Sequence, residues 1–193
     1  MLMKKSSGMT LIEMIIAIVL MGIAMVAFTS FLVPQVRDSA NPHYQTRASA
    51  LAQSFMSQIL ARGFDDNSNF DGGLVRCGEN SVNCTPSKDL GAETGESLPT
   101  DFNDVDDFIG CWSTPNTLSQ CKSVSRGNIT DVLANVGEDS TEQYKNFRVE
   151  VQVAYDDLGG SETSALPKYK KVTLTIFAGT TQPLTLTALK GNY

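Results

Sequence analysis

Histidine occurs once in the 193 residues, as His43, and tryptophan once, as Trp112. A single imidazole leaves Ser-His-Asp chemistry little to draw on. H-E-x-x-H, G-x-S-x-G, Walker A and G-x-G-x-x-G are all absent. The expectation is therefore a protein that is not an enzyme and carries no cofactor. None of the four cysteines forms Cys-x-x-Cys, and His43 is remote from them in sequence, which speaks against zinc. Basic residues are also short: 15 against 21 acidic, a formal net charge of −6. Nucleic acid needs a basic patch to meet its phosphates, so it is not an expected partner. Asn83-Cys84-Thr85 and Asn128-Ile129-Thr130 match the glycosylation sequon, but no other feature supports their use.

Charge is scarcest between Met9 and Val33, where Glu13 is the only ionisable residue. A helix over Met9–Val33 would be roughly 37 Å long, enough to cross a hydrocarbon core of ~30 Å with some tilt. A carboxylate in such a run marks a functional site by default. Lys4 and Lys5 precede the run and place the N-terminus in the cytoplasm, with everything after Val33 outside. A secretory signal puts its small-residue cleavage site after the apolar stretch, and no A-x-A pattern follows Ala27. Here the small residues, Ser6-Ser7-Gly8, come first. Cleavage after Gly8 would leave the apolar helix on the mature chain and, by removing Lys4 and Lys5, lower the net charge from −6 to −8. Gly22, Ala17, Ala24 and Ala27 offer small faces for close helix packing.

The order of basic leader, Gly8, then Thr10-Leu11-Ile12-Glu13 resembles the prepilin leader of type IV pilins and type II secretion pseudopilins. Counted from Met9, Glu13 is fifth, as that family requires; Met9 itself stands where Phe is commonest. The resemblance implies cleavage between Gly8 and Met9 by a prepilin peptidase, N-methylation of Met9, and passage through an inner-membrane assembly platform. It also implies pairing of Glu13 with the amino terminus of a neighbouring pilin subunit. The chain would sit in the inner membrane with its domain in the periplasm, then on the pilus at the cell surface.

Beyond the membrane run, Pro34 and Asn41-Pro42 are expected to kink, end or restart the helix; His43 beside that restart reads as a cap or surface residue. Ala48, Leu51, Ala52, Phe55, Met56, Ile59 and Leu60 then recur at three- and four-residue steps, an amphipathic helix with Arg62-Gly63 as its stop. Near the C-terminus, 147–155, 172–177 and 184–189 alternate with period two, predicting three antiparallel strands whose apolar face the helix covers. The fold class is α+β: a long N-terminal transmembrane and stalk helix packed on an antiparallel sheet, with a long disulfide-containing middle region. Its parts are a leader (1–8), an assembly helix (9–33), an amphipathic second half (34–62), an irregular region (63–146) and the sheet (147–193).

The irregular region holds all four cysteines. Outside the cytoplasmic membrane disulfides persist, and four cysteines allow three connectivities. Cys77–Cys84 and Cys111–Cys121 are favoured because local loops of this size close at small entropic cost. The acidic run Asp101-Phe102-Asn103-Asp104-Val105-Asp106-Asp107-Phe108 offers Asp101, Asn103, Asp104, Asp106 and Asp107 as oxygen ligands for calcium. It lacks the sixth-position Gly and twelfth-position Glu of an EF-hand loop. The alternative, a solvated turn with Phe102, Val105 and Phe108 pointing inward, is preferred. Asp65-Asp66-Asn67 and Asp71-Gly72-Gly73 read as turn caps.

A second resemblance spans more of the chain. Tyr44-Gln45-x-Arg47-Ala48, Ile59-Leu60-Ala61-Arg62-x-Phe64-Asp65, Arg76-Cys77-Gly78, Asn103-Asp104-Val105-Asp106-Asp107-Phe108 and Gly191-Asn192-Tyr193 look like the D-type minor pilins of the mannose-sensitive haemagglutinin (MSHA) pilus. That likeness implies a low-copy subunit of a Gram-negative type IV pilus, initiating assembly or sitting at the tip for surface attachment. A secretion pseudopilin is one alternative. A tip adhesin, with Trp112 stacking on a glycan, is another, set against core packing of that ring.

Overall fold

The computed structural model describes residues 8, 10–68, 75–133, 142–156 and 167–192. The chain divides into two compact units, 1–43 and 44–193. Helix α1, Leu11–Leu60, begins in the first and ends in the second.

In the first unit Leu11–Gln35 is apolar, with a mean hydropathy of 2.7, and is unburied. By length and composition it can cross a membrane. The helix neither ends nor restarts at either proline: Pro34 and Pro42 both lie inside α1, and His43 starts no new helix. Each proline removes one backbone hydrogen bond, and the bonds on either side carry the helix past it.

In the second unit the predicted stripe is the buried one. Ala48, Leu51, Ala52, Phe55, Met56 and Ile59 are core residues, and Leu60 packs against them. The helix ends at Leu60, two residues before the expected Arg62. The cation at its end comes from elsewhere: Lys190 Nζ donates to the Leu60 carbonyl at 3.1 Å, completing a terminus that has no basic residue of its own. Arg62 instead gives Nη2 to the Pro99 carbonyl at 2.8 Å. Gly63 pairs with the acidic run, its amide meeting the Asn103 carbonyl at 2.9 Å.

The sheet has five strands rather than three. Strands β1 (Gly110–Ser113), β2 (Ser125–Asn128), β3 (Phe147–Tyr155), β4 (Tyr169–Ala178) and β5 (Leu184–Gly191) lie in the order β2-β1-β3-β4-β5. All pairs are antiparallel except β1 with β2. Val149, Val151 and Val153 face Ile176, Leu174 and Val172 across β3 and β4, and all six are buried. The middle region thus supplies two strands, and also a one-turn helix α2, Ile129–Val132, capped by Asn128. Four-residue strands carry too few alternations to register as a period.

Trp112 on β1 is 1% exposed and forms edge or tilted ring contacts with Phe55, Phe102 and Phe108. Its Nε1 donates to the Phe108 carbonyl at 2.9 Å. It is a core residue. β2 fits beside β1 only because two glycines leave room. Gly110 has φ +135°, and a Cβ there would lie 2.8 Å from the Val124 carbonyl oxygen. A Cβ on Gly127 would lie 2.8 Å from the Trp112 ring. Disulfides join Cys77 to Cys84 and Cys111 to Cys121.

Gly110→Ala combines a left-handed backbone with a backbone clash. It should lower stability by about 2 kcal/mol or more. Urea unfolding of the full chain, followed by the fluorescence of its single tryptophan, measures this; an unchanged midpoint would contradict the packing of β2 on β1.

Candidate functional site

The first candidate lies at the N-terminal end. Gly8 is exposed, while Met9, Lys4 and Lys5 lie outside the described residues. Helix α1 opens where the Thr10 carbonyl accepts the amides of Glu13 and Met14 at 3.1 and 3.2 Å. Glu13 therefore stands in the first turn, where a carboxylate complements the positive end of the helix dipole. It is exposed, as are the apolar residues that follow it through Val33. A helix whose apolar flank is bare over seven turns can satisfy it only in lipid or against other helices. An ionised Glu13 held there costs about 2.5–3.5 kcal/mol at mid-bilayer and less near the interface. A partner's cation at that position would remove the cost by forming a charge-assisted contact.

The second candidate is the acidic run, and the structure separates its members. Phe102, Val105 and Phe108 point inward as expected, at 2%, 0% and 1% exposure. The turn is not solvated: Asp104, Asp106 and Asp107 are fully buried. Asp101 is exposed and accepts from the Leu98 amide, and Asn103 gives Nδ2 to Asp66 at 2.9 Å. The five expected ligands thus do not converge on one point. Two of them meet a cation of the chain itself. Lys170, on β4, has its Nζ bonded to Asp106, 3.1 Å from Asp65 and 3.6 Å from Asp104, and all four side chains are fully buried.

Aromatic rings complete the enclosure. Lys170 Nζ lies 5.0 Å from the Phe64 ring centre and 5.5 Å from that of Tyr155. Asp65 is densely bonded: it accepts from the Thr85 amide and hydroxyl, the Asn67 amide and the Tyr155 hydroxyl. Burial alone would raise Asp65, but Lys170 and the amides of Thr85 and Asn67 outweigh it and hold its pKa below the usual carboxylate value. Burial would likewise lower Lys170, yet Asp106, Asp104 and Asp65 together hold it above the ordinary lysine value. Asp104 goes the other way. Burial pushes it up to about 9, with Asp106 and Asp107 adding to the shift and Lys170 opposing it. The upward direction reflects three buried acids crowded around one ammonium.

Sequence reading missed this cluster because its members stand at 65, 104, 106 and 170, on three separate segments. Asp65 had been read as a turn cap, and it does accept the Asn67 amide; Lys170 sits in an otherwise alternating strand. The one available signal was that a lysine occupies a position in phase with Val172, Leu174 and Ile176.

Removing one member leaves buried charge without a partner, a loss of about 3–5 kcal/mol. Lys170→Met should cost that much at neutral pH in chemical denaturation. The depressed pKa of Asp65 contributes stability above the unfolded value of about 4 and loses it as the pH falls through the folded value. Asp65→Asn should therefore destabilise at neutral pH and flatten the acid limb of the melting profile. Wild-type melting behaviour in both variants would show that the cluster contributes nothing.

Among comparisons with known proteins, residues 3–29 match the family model described as the prokaryotic N-terminal methylation motif. No curated protein and no solved structure matches the chain. The matched segment contains Gly8, Met9 and Glu13 and overlaps the apolar part of α1. Such a motif implies processing by a prepilin peptidase and assembly with other pilins, in a family that is structural rather than catalytic. The motif, the membrane-length helix and the α+β unit behind it support a type IV pilin or pseudopilin.

Proposed function

We propose that the protein is a minor type IV pilin of the MSHA kind, which enters the filament through its N-terminal helix and helps initiate or cap pilus assembly for surface attachment. One observation carries the reading: Gly8 precedes a bare apolar helix whose single carboxylate, Glu13, falls fifth after the cleavage point. Cleavage after Gly8 exposes an amino group at Met9, in place to be methylated. Glu13 of one subunit then pairs with the Met9 amino group of the next, and the exposed apolar flanks pack together as the subunit leaves the bilayer. The unit 44–193 stays outside the cytoplasmic membrane, where its two disulfides are stable. Burial of Trp112 removes the aromatic surface on which a glycan would stack. Attachment on this reading comes from the filament rather than from a sugar site at that residue.

A strain lacking the gene should carry few or no pili and adhere poorly, with pilus antigen retained in the inner membrane. Normal piliation would overturn the assembly role, and normal piliation with failed exoprotein secretion would assign the chain to a secretion pseudopilus. In the complemented strain, Glu13→Ala should be cleaved and inserted normally but enter filaments at least about tenfold less, read by immunoblot of sheared pili. Gly8→Val should keep its leader, visible as a slower-migrating band. Wild-type incorporation of the Glu13 variant would remove Glu13 from the mechanism.

A further inference from the structure

Glu93, Glu96 and Asp107 form a second group of carboxylates, apart from Lys170. One oxygen of each lies within 4.8 Å of the others. Asp107 sits in the 3-10 turn Asp106–Phe108, immediately before β1, and is fully buried. Its Oδ2 takes the amides of Asn103 and Asp104 at 2.8 and 2.9 Å. Its Oδ1 is buried and meets no donor, and Glu93 Oε2 is in the same position. A buried carboxylate oxygen without a donor is among the costliest polar groups a fold can hold, so its presence calls for a ligand.

The neighbouring cation does not meet that need. Arg126 gives Nε to the Asp107 carbonyl and Nη2 to the Glu96 carbonyl, both at 2.8 Å, and lies 4.4 Å from the Phe102 ring centre. Its hydrogen bonds fix the backbone that carries the two acids and leave the orphaned oxygens unmatched. Three carboxylates and one guanidinium sum to about two negative charges when ionised.

We propose that Glu93, Glu96 and Asp107 form a calcium-binding site. All three donors are hard oxygens, with no nitrogen or sulfur among them, which selects against zinc and copper. They come from an irregular segment and a 3-10 turn, and calcium accepts the irregular geometry that such backbone provides, whereas magnesium demands a near-ideal octahedron. The environment agrees with a missing cation. Burial, a bond to Glu96 and the charge of Asp107 push Glu93 up to about 8. Burial pushes Asp107 up to about 6, Glu96 adding to the shift while the amides of Asp104 and Asn103 oppose it. The site shares only Asp107 with the ligand set expected from the sequence. Bound calcium would tie the 93–96 turn to the segment leading into β1. It does so whether or not the chain is a pilin.

The test uses the full chain in detergent micelles, stripped with EGTA and dialysed. Thermal melting is followed by circular dichroism at roughly 0.1–5 mM calcium, the range of extracellular calcium modules, with magnesium as control. Calcium should raise the melting temperature by about 2–5 °C, saturably, and magnesium by less than half as much. Glu96→Gln and Glu93→Gln should abolish the calcium-dependent rise. Without calcium they should melt at or above the wild-type temperature, because each relieves the crowding of three carboxyl groups. That pairing separates loss of a site from loss of folding. No calcium response in the wild-type chain, an equal response to magnesium, or an undiminished response in either variant would each overturn the proposal.

Discussion

An ammonium enclosed by carboxylates and aromatic rings ties together three segments that lie far apart along the chain. Lys170 comes from the start of β4, Asp65 from the chain just past α1, and Asp104 and Asp106 from the turn that leads into β1. Each acid alone would have no reason to leave water. Together with Lys170 they fix where α1 ends, because Gly63 and the acidic run are already paired beside it. The burial has a large desolvation cost, offset because Asp65 accepts several hydrogen bonds and because Lys170 lies within ion-pair distance of all three acids. An apolar replacement of equal volume would fill the space without choosing among partners. A buried ammonium, by contrast, selects the carboxylates that can reach it.

The two compact units obey different constraints. Over Leu11–Gln35 the helix is apolar on every side and bare, so its stability comes from surroundings such as lipid or other helices. In 44–193 the same helix is amphipathic, and its stripe from Ala48 to Ile59 covers the sheet. Pro34 and Pro42 both fall before the stripe begins at Ala48. The lost backbone bonds therefore lie outside the segment whose register the core depends on.

How legible this was in the sequence depends on the range of the interaction. Features with a short period or a local motif were readable: Gly8 and Glu13, the stripe of α1, the existence of β5, and β3 and β4, whose long alternations match their observed burial. β1 and β2 were not, since four residues with two glycines between them carry no period and are placed by Trp112 and by the backbone of Val124. The end of α1 was misplaced because its capping cation, Lys190, lies 130 residues away. In the acidic run the inward aromatics were legible and the fate of the acids was not. The spacing of charges along a chain says nothing about a lysine on a distant strand.

The separation between Lys170 and its acids also sets an order of events. The disulfides close loops of 7 and 10 residues, so each can form as soon as its own segment is available. The charge cluster cannot. Lys170 follows Asp106 by 64 residues and Asp65 by 105, and β4, which carries it, also supplies half of the apolar pairs in the centre of the sheet. A chain made from its N-terminus therefore presents α1, its disulfide loops and the acids at 65, 104 and 106 well before the lysine they enclose. The acidic character of the waiting segments keeps them hydrated and mutually repelled during that interval. Arrival of a single strand then neutralises and covers them together, and the domain closes in one late step.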